Sequence, residues 1–407
     1  MTSTSEATPE ASPRPTGREF LVALALAALW ILGVDLLTNS TPPLWDAVSY
    51  VDVARRGLFG NEHLVAPFAY RPGVPLLARA VAALSGADVL VGFEVVTRVA
   101  SFATLLLAWR LARALGAGRG PSLGLQAVVA LSFFHLKLPL FFPTLVDAGA
   151  YPFLLGAMLA IVARRPWTAL AIALVGLLFK EFLLVPCGLL AWSALRERRF
   201  ARAALVVLLT GAVFLGTRAA IRVERSQQFL DLSSLESVWI YARWTLLKWE
   251  RDVNLAFSLA SYLLPILLLA TRERWRAWRA SAVRARAPWG LALGLVLLLA
   301  LYGGTNVSTF VSYALPVQLA VLSVFAAAGI ARAEFVFVLL ALAVFNRVAL
   351  PLPVPEADLA QPSSLAYLDV YAGWGSRLTH ATLARTLELG AWIVGANVLR
   401  FATRRRG

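Results

Sequence analysis

The chain has 407 residues, of which 59% are hydrophobic and 15% charged, with a mean hydropathy of +0.71. A soluble domain is nearer half apolar and a quarter charged, so the surplus apolar surface needs lipid and excludes an ordinary water-soluble fold. The net charge of +15 would suggest nucleic acid in a soluble protein. Here the arginines lie between apolar runs, which is the positive-inside pattern of a membrane protein and argues against nucleic-acid binding.

Residues 1–19 are polar and rich in Ser, Thr and Pro, and read as a disordered cytoplasmic tail. The apolar run 20–37 is long and no small-residue cleavage site follows it, so it reads as an uncleaved first helix. Further spans are predicted at 89–109, 121–137, 150–163, 167–179, 182–195, 203–219, 255–270, 288–302, 310–330, 335–350 and 381–399. The predicted fold is all-α, a polytopic transmembrane helix bundle of roughly 10–13 spans, with one transmembrane domain over 20–400 and a basic tail at 401–407. Basic clusters at Arg14 and Arg18, Arg110 to Arg119, Arg164 and Arg165, Arg196 to Arg202, 272–286 and Arg404 to Arg406 all thread to one side. Both termini are therefore expected in the cytoplasm of a bacterial inner (plasma) membrane.

The stretch 272–286 is expected to meet anionic headgroups of the membrane lipids. The loops on the other side are 38–88, 138–149, 220–254, 303–309 and 351–380. In 220–254 the residues Leu235, Val238, Trp239, Ala242, Leu246 and Trp249 fall on one helical face, the pattern of a helix lying in the membrane interface. The single cysteine, Cys187, sits in an apolar run, has no partner for an internal disulfide and reads as packing.

The chemistry is sought among the polar residues on the outer side. Asp46 and Tyr50 are four apart and share a helical face, whereas Asp52 points elsewhere. The block Pro67–Pro75 has three prolines, is not expected to be ordinary helix, and holds Tyr70 and Arg71 on a constrained loop before an amphipathic run at 76–84. Asp147 stands at the mouth of a helix, and Lys180 with Glu181 interrupts two short apolar spans. The sequence 303–306 (GGTN) reads as a flexible turn ending in Asn306. Each has a bland alternative: a solvated loop acid, snorkelling interface charges, a plain turn. Together they carry more weight, because ionisable groups at membrane depth are expensive and line cavities. Glu94 and Arg98, one turn apart, are expected to neutralise each other inside the bundle. His63, His135 and His380 lack metal-ligand spacing, so no metal site is assigned.

WDAVSYVDVARRG followed by PFAYRPGVPLL, then VDAGAYPF, LLFKEFLLVP and GGTN…YALP, resembles the GT-C superfamily of integral-membrane glycosyltransferases, which includes protein mannosyltransferases and lipid A aminoarabinose transferases. The resemblance implies transfer of a sugar from a polyprenyl-phosphate donor to a lipid, glycan or protein acceptor on the non-cytoplasmic face. It implies that Asp46 acts as base, that Asp147 is the second acid, orienting the acceptor or an ion, and that Lys180 of the Lys180–Glu181 break meets the carrier phosphate. Arg71 is a further phosphate contact, and Tyr50 and Tyr70 shape the sugar site. No cofactor is certain, and a divalent cation is the one candidate. The chain departs from the family pattern at Ala47, where a second acid is common, and at Thr309, near the place of a common arginine. The alternative readings are a multi-pass transporter, and a flippase or ligase for lipid-linked oligosaccharides.

Overall fold

The computed structural model describes residues 15–43, 46–223, 225–226, 239, 249–302, 307–352 and 380–404. About 80% of it is helical. The first ten helices are α1 Gly17–Leu36, α2 Asp46–Arg56, α3 Gly73–Ser85, α4 Val89–Ala114, α5 Arg119–Ala130, α6 Leu138–Phe141, α7 Asp147–Val162, α8 Pro166–Gly176, α9 Leu184–Arg196 and α10 Phe200–Ala220. After them come α11 Trp249–Tyr262, α12 Leu264–Leu269, α13 Arg272–Ala280, α14 Ala282–Arg286, α15 Trp289–Tyr302, α16 Val307–Val311, α17 Leu315–Ala327, α18 Arg332–Phe345 and α19 His380–Arg404. Two short parallel strands, β1 Val65–Ala66 and β2 Arg225–Ser226, tie the first long loop to the segment after α10.

Four helices are long and apolar enough to cross a membrane: α1, α4, α10 and the continuous stretch Thr309–Ala327. A fifth span forms if α5 and the stretch Phe133–Phe141, bent by 67° at their junction, count as one. Their surroundings differ sharply. The apolar window of Thr309–Ala327 is 89% buried inside the protein, against 11% for that of α10. The first is the central post of the bundle, and the second is covered by protein on little of its surface.

Side-chain contacts sort the helix ends into two groups. At one end Arg113 and Arg119 both reach Glu19, and Arg286 donates to the carbonyl of Ala114. Arg274 pairs with Glu334 at 2.6 Å and donates to the carbonyl of Gly329, while Arg400 donates to that of Leu268. Arg286, Arg274 and Arg400 thereby satisfy carbonyls at or just beyond helix C-termini. At the other end Lys137 donates to the carbonyls of Leu37 and Val348 at 2.8 and 2.7 Å, closing the chain after α1 and after α18. Thr97 near the start of α4 donates to Pro143, just before α7. The 20 residues of α1, which runs from the Glu19 end to the Leu37 end, span about 30 Å at 1.5 Å per residue, which is the thickness of a bilayer's hydrocarbon core.

Several expectations change in detail. The helix begins at Gly17, inside the expected tail, because Thr16 and Glu19 form a reciprocal capping box. The proline block does not stay out of helix altogether: α3 starts at Gly73 and takes in Pro75, which sits in the first turn where a missing N–H costs nothing. Span 121–137 is broken after Leu131, and a π-turn at Phe133–Lys137 precedes Pro139, which lacks the N–H that would bond His135. Span 255–270 divides into α11 and α12, with Pro265 opening the second. Glu94 and Arg98 do pair, at 2.9 Å, but Asp35 joins them at 3.2 Å and their side chains remain 39% exposed, so they lie at the rim and not inside the bundle. The interfacial helix expected around 235–249 falls largely outside the described residues. Cys187 is buried among apolar neighbours, as a packing residue should be.

Candidate functional site

The first long loop builds one wall. In α2 the residues Ala47, Tyr50, Val51 and Ala54 are buried and Val48 is exposed, so the face shared by Asp46 and Tyr50 turns inward. A 3₁₀ turn at Phe68–Tyr70 then delivers Arg71, whose amide donates to Phe68. The amide of Gly73 donates to the carbonyl of Leu178, which docks this loop on the end of α8. A Cβ at Gly73 would stand 2.6 Å from the Phe179 ring, so only glycine allows that approach.

The break between α8 and α9 builds the opposite wall. Lys180 has extended backbone (φ −163°, ψ 141°) and ends the helical path, and Glu181 opens a single 3₁₀ turn before α9. Arg71 and Glu181, 110 residues apart in sequence, form a forked pair, with Nε donating to Oε2 at 2.8 Å and Nη2 to Oε1. The remaining Nη1 of Arg71 donates to the Tyr50 hydroxyl at 2.9 Å. Lys180 meets Asp147, the first residue of α7, at 3.1 Å, and the same carboxylate oxygen accepts from the Tyr313 hydroxyl at 2.8 Å. The Tyr313 ring stacks on Phe182 with centroids 4.2 Å apart, which fixes the hydroxyl's direction.

Asp46 is the exception. It feels the charges of Arg71, Lys180 and Asp147 but makes no hydrogen bond or ion pair with any described residue. Burial pushes its carboxyl above the ordinary aspartate range, Arg71 and Lys180 pull it partly back, and Asp147 adds to the rise. The Glu181 carboxyl moves the other way. Burial alone would raise it, but Arg71 and Lys180 outweigh that and hold it down at about 2. The Tyr50 hydroxyl is raised, chiefly by burial, and stays a proton donor or acceptor without ionising.

Of the eight residues singled out from sequence, Asp46, Tyr50, Arg71, Asp147, Lys180 and Glu181 therefore converge on one cluster. Asp52 turns away to Arg56 and Asn61. Tyr70 lies on the cluster's flank, where the Arg218 guanidinium sits 5.0 Å from its ring centre. Asn306 falls outside the described residues. The cluster lies at the end of the bundle marked by Thr97, Pro143 and the start of α7, away from the arginines that meet Glu19 and Glu334.

The sequence did not single out Tyr313 or Arg218. Tyr313 stands within the quoted YALP segment, and Arg218 at the last turn of a long apolar run, so both had a signal of position but none of type. Among the described residues no three His, Cys, Asp or Glu side chains gather as a metal would require. A separate small cavity of about 50 Å³, lined by Phe257, Ser261, Tyr262, Gln318, Phe345 and Arg347 among others, contains none of the six cluster residues. Tyr262, in its wall, is hydrogen-bonded to His135 at 2.9 Å, and the His135 ring packs edge-on against Tyr151.

No protein-family model matches the chain, and no curated protein or solved structure matches it.

Proposed function

We propose that the chain is a GT-C-type membrane glycosyltransferase that moves a sugar from a polyprenyl-phosphate donor to an acceptor at the non-cytoplasmic face. The observation that carries this reading is Asp46, the one acid of the cluster without a hydrogen-bond or ion-pair partner among the described residues, held half-buried beside the two ion pairs Arg71–Glu181 and Lys180–Asp147. A group so placed suits general-base work, since its proton affinity is raised and its oxygens are uncommitted.

In this reading the acceptor hydroxyl gives its proton to Asp46 as its oxygen bonds to the anomeric carbon. The bond from that carbon to the phosphate oxygen breaks, and the electron pair leaves with the polyprenyl phosphate. One displacement of this kind inverts the anomeric centre, with base and leaving group on opposite faces of the sugar. Asp147, fixed by Lys180 and Tyr313, orients the acceptor, and the Arg71–Glu181 pair holds Tyr50 and the loop in register. The positive-inside rule supports an orientation with the arginine-rich end in the cytoplasm and the Asp46 cluster outside. Four helices, or five with the bent pair taken as one, are long and apolar enough to cross alone, so the roughly 10–13 spans of this reading require the shorter apolar helices, several of them in pairs, to cross as well.

The transporter reading draws on the broken spans at Lys180 and at Leu131. It expects ionisable groups near mid-membrane, whereas the cluster here belongs to one end. The experiment is sugar transfer by purified protein in liposomes carrying a polyprenyl-phosphate sugar, comparing the native chain with Asp46→Asn. Loss of a base lowers such rates by about 10²- to 10⁴-fold. Near-native transfer by a well-folded Asp46→Asn protein removes the role, and substrate counterflow without transfer favours the transporter.

A further inference from the structure

The cluster holds three acids and three cations: Asp46, Asp147 and Glu181 against Arg71, Lys180 and Arg218. Four of these charges cancel in pairs. Arg71 has all three of its nitrogens engaged, by Glu181 and by Tyr50. Lys180 is buried, with its ammonium on Asp147. Neither is free to meet an incoming anion without breaking a buried pair, which is costly.

Arg218 differs. It sits in the last turn of α10, half-buried, within range of the charges of Glu181 and Arg71. No carboxylate among the described residues lies within ion-pair distance of it. Its Nη1 donates to the Phe214 carbonyl one turn back, at 3.0 Å, and Nε and Nη2 have no described partner. Its guanidinium carbon lies over two rings, 5.0 Å from the centre of Tyr70 and 3.5 Å from that of Phe214. A guanidinium packed on aromatic rings loses less freedom when it binds, and two adjacent N–H groups match two oxygens of a phosphate. The bland reading is a helix C-cap, but that uses one nitrogen and leaves the other two unexplained.

We propose that Arg218, shelved on Tyr70, is the contact for the phosphate of the donor, and that Arg71 and Lys180 act as scaffold. The inference rests on the transferase reading above. It also explains why the two uncommitted charges of the cluster have opposite sign. Asp46 collects a proton, and Arg218 receives a phosphate whose charge grows from one toward two as the sugar leaves. An interaction that strengthens along the reaction lowers the barrier and not merely the binding energy.

The test measures binding of a short-chain polyprenyl phosphate and of the matching uncharged polyprenol to the native protein, Arg218→Gln and Arg218→Lys, with thermal stability recorded for each. The native protein is expected to prefer the phosphate. Arg218→Gln should reduce that preference about 10- to 100-fold while leaving polyprenol binding unchanged, and Arg218→Lys should keep part of it. Equal phosphate preference in native protein and Arg218→Gln, or none in the native protein, overturns the assignment. Sugar transfer by the same proteins separates this from the parent reading. Lost preference in Arg218→Gln with no transfer by any of them leaves an anion site in a protein that is not a transferase. Transfer with an unchanged kcat in Arg218→Gln overturns Arg218 and leaves the transferase standing.

Discussion

Replacing Glu181 by Gln removes the counter-charge of a guanidinium that is 5% exposed and leaves it neutral partners alone, one amide oxygen and the Tyr50 hydroxyl. Two routes give the size of the effect. Breaking a buried pair from one side costs about 3–5 kcal/mol in comparable settings. Independently, the Glu181 carboxyl is held at about 2 against an ordinary value of 4.5, so 4.5 − 2 = 2.5 pH units, which is about 3 kcal/mol at 1.36 kcal/mol per unit. Because the folded value is depressed, this stabilisation is fully present above pH 4.5 and is lost as the pH falls toward 2. The assay is thermal unfolding in mild detergent from pH 7 to pH 3. Glu181→Gln should unfold earlier than the native protein at pH 7, and the gap should narrow below pH 4.5. Adding Arg71→Met should restore much of the loss, since an uncharged pair leaves no stranded guanidinium. A native unfolding temperature for Glu181→Gln at pH 7, or no recovery in the double variant, would refute the view of this pair as a buried, mutually dependent clamp.

Other outcomes follow from the same geometry. Sugar-transfer rate should rise with pH through an apparent pKa above the free aspartate value of about 3.9, because Asp46 must be ionised to accept a proton and burial raises its pKa; this limb, read from a pH–rate profile, should vanish in Asp46→Asn. Gly92→Val should lower the unfolding temperature and the yield of folded protein, because even a Cβ there would stand 2.2 Å from the backbone oxygen of Ala78 and force α3 off α4; a native melting profile would contradict that contact.

The parts of the site that were legible in the sequence are those where a polar residue violates an apolar pattern. Asp46, Asp147 and Lys180–Glu181 stand out because lipid-facing runs do not carry charge without cause. What the sequence does not encode locally is pairing. Arg71 could have been matched with Asp46, Asp147 or Glu181, and only the docking of Gly73 on Leu178 decides for Glu181. Arg218 is not distinguished by the sequence, because one arginine at the end of a 21-residue apolar helix resembles an ordinary interface anchor. The fold was readable as an apolar helical bundle from composition and run length. The break at Leu263 is not legible in the sequence, since Pro265 inside a hydrophobic window barely changes its hydropathy while removing a backbone donor, and the break after Leu131 has no proline to mark it.

The exposure of α10 bears on how the bilayer itself could act on the chemistry. Among the described residues its body packs chiefly against α8 and α9, yet its final turn carries the guanidinium over Tyr70, and β2 just beyond pairs with β1 of the first loop. A rod of 21 residues spans about 31 Å, close to the hydrocarbon thickness. Thinner or thicker lipid would tilt it, and the tilt would raise or lower that fingertip relative to Asp46. Turnover measured across liposomes of graded acyl length should therefore peak at one thickness, and a flat profile would mean that the β1–β2 tie alone holds the tip in place.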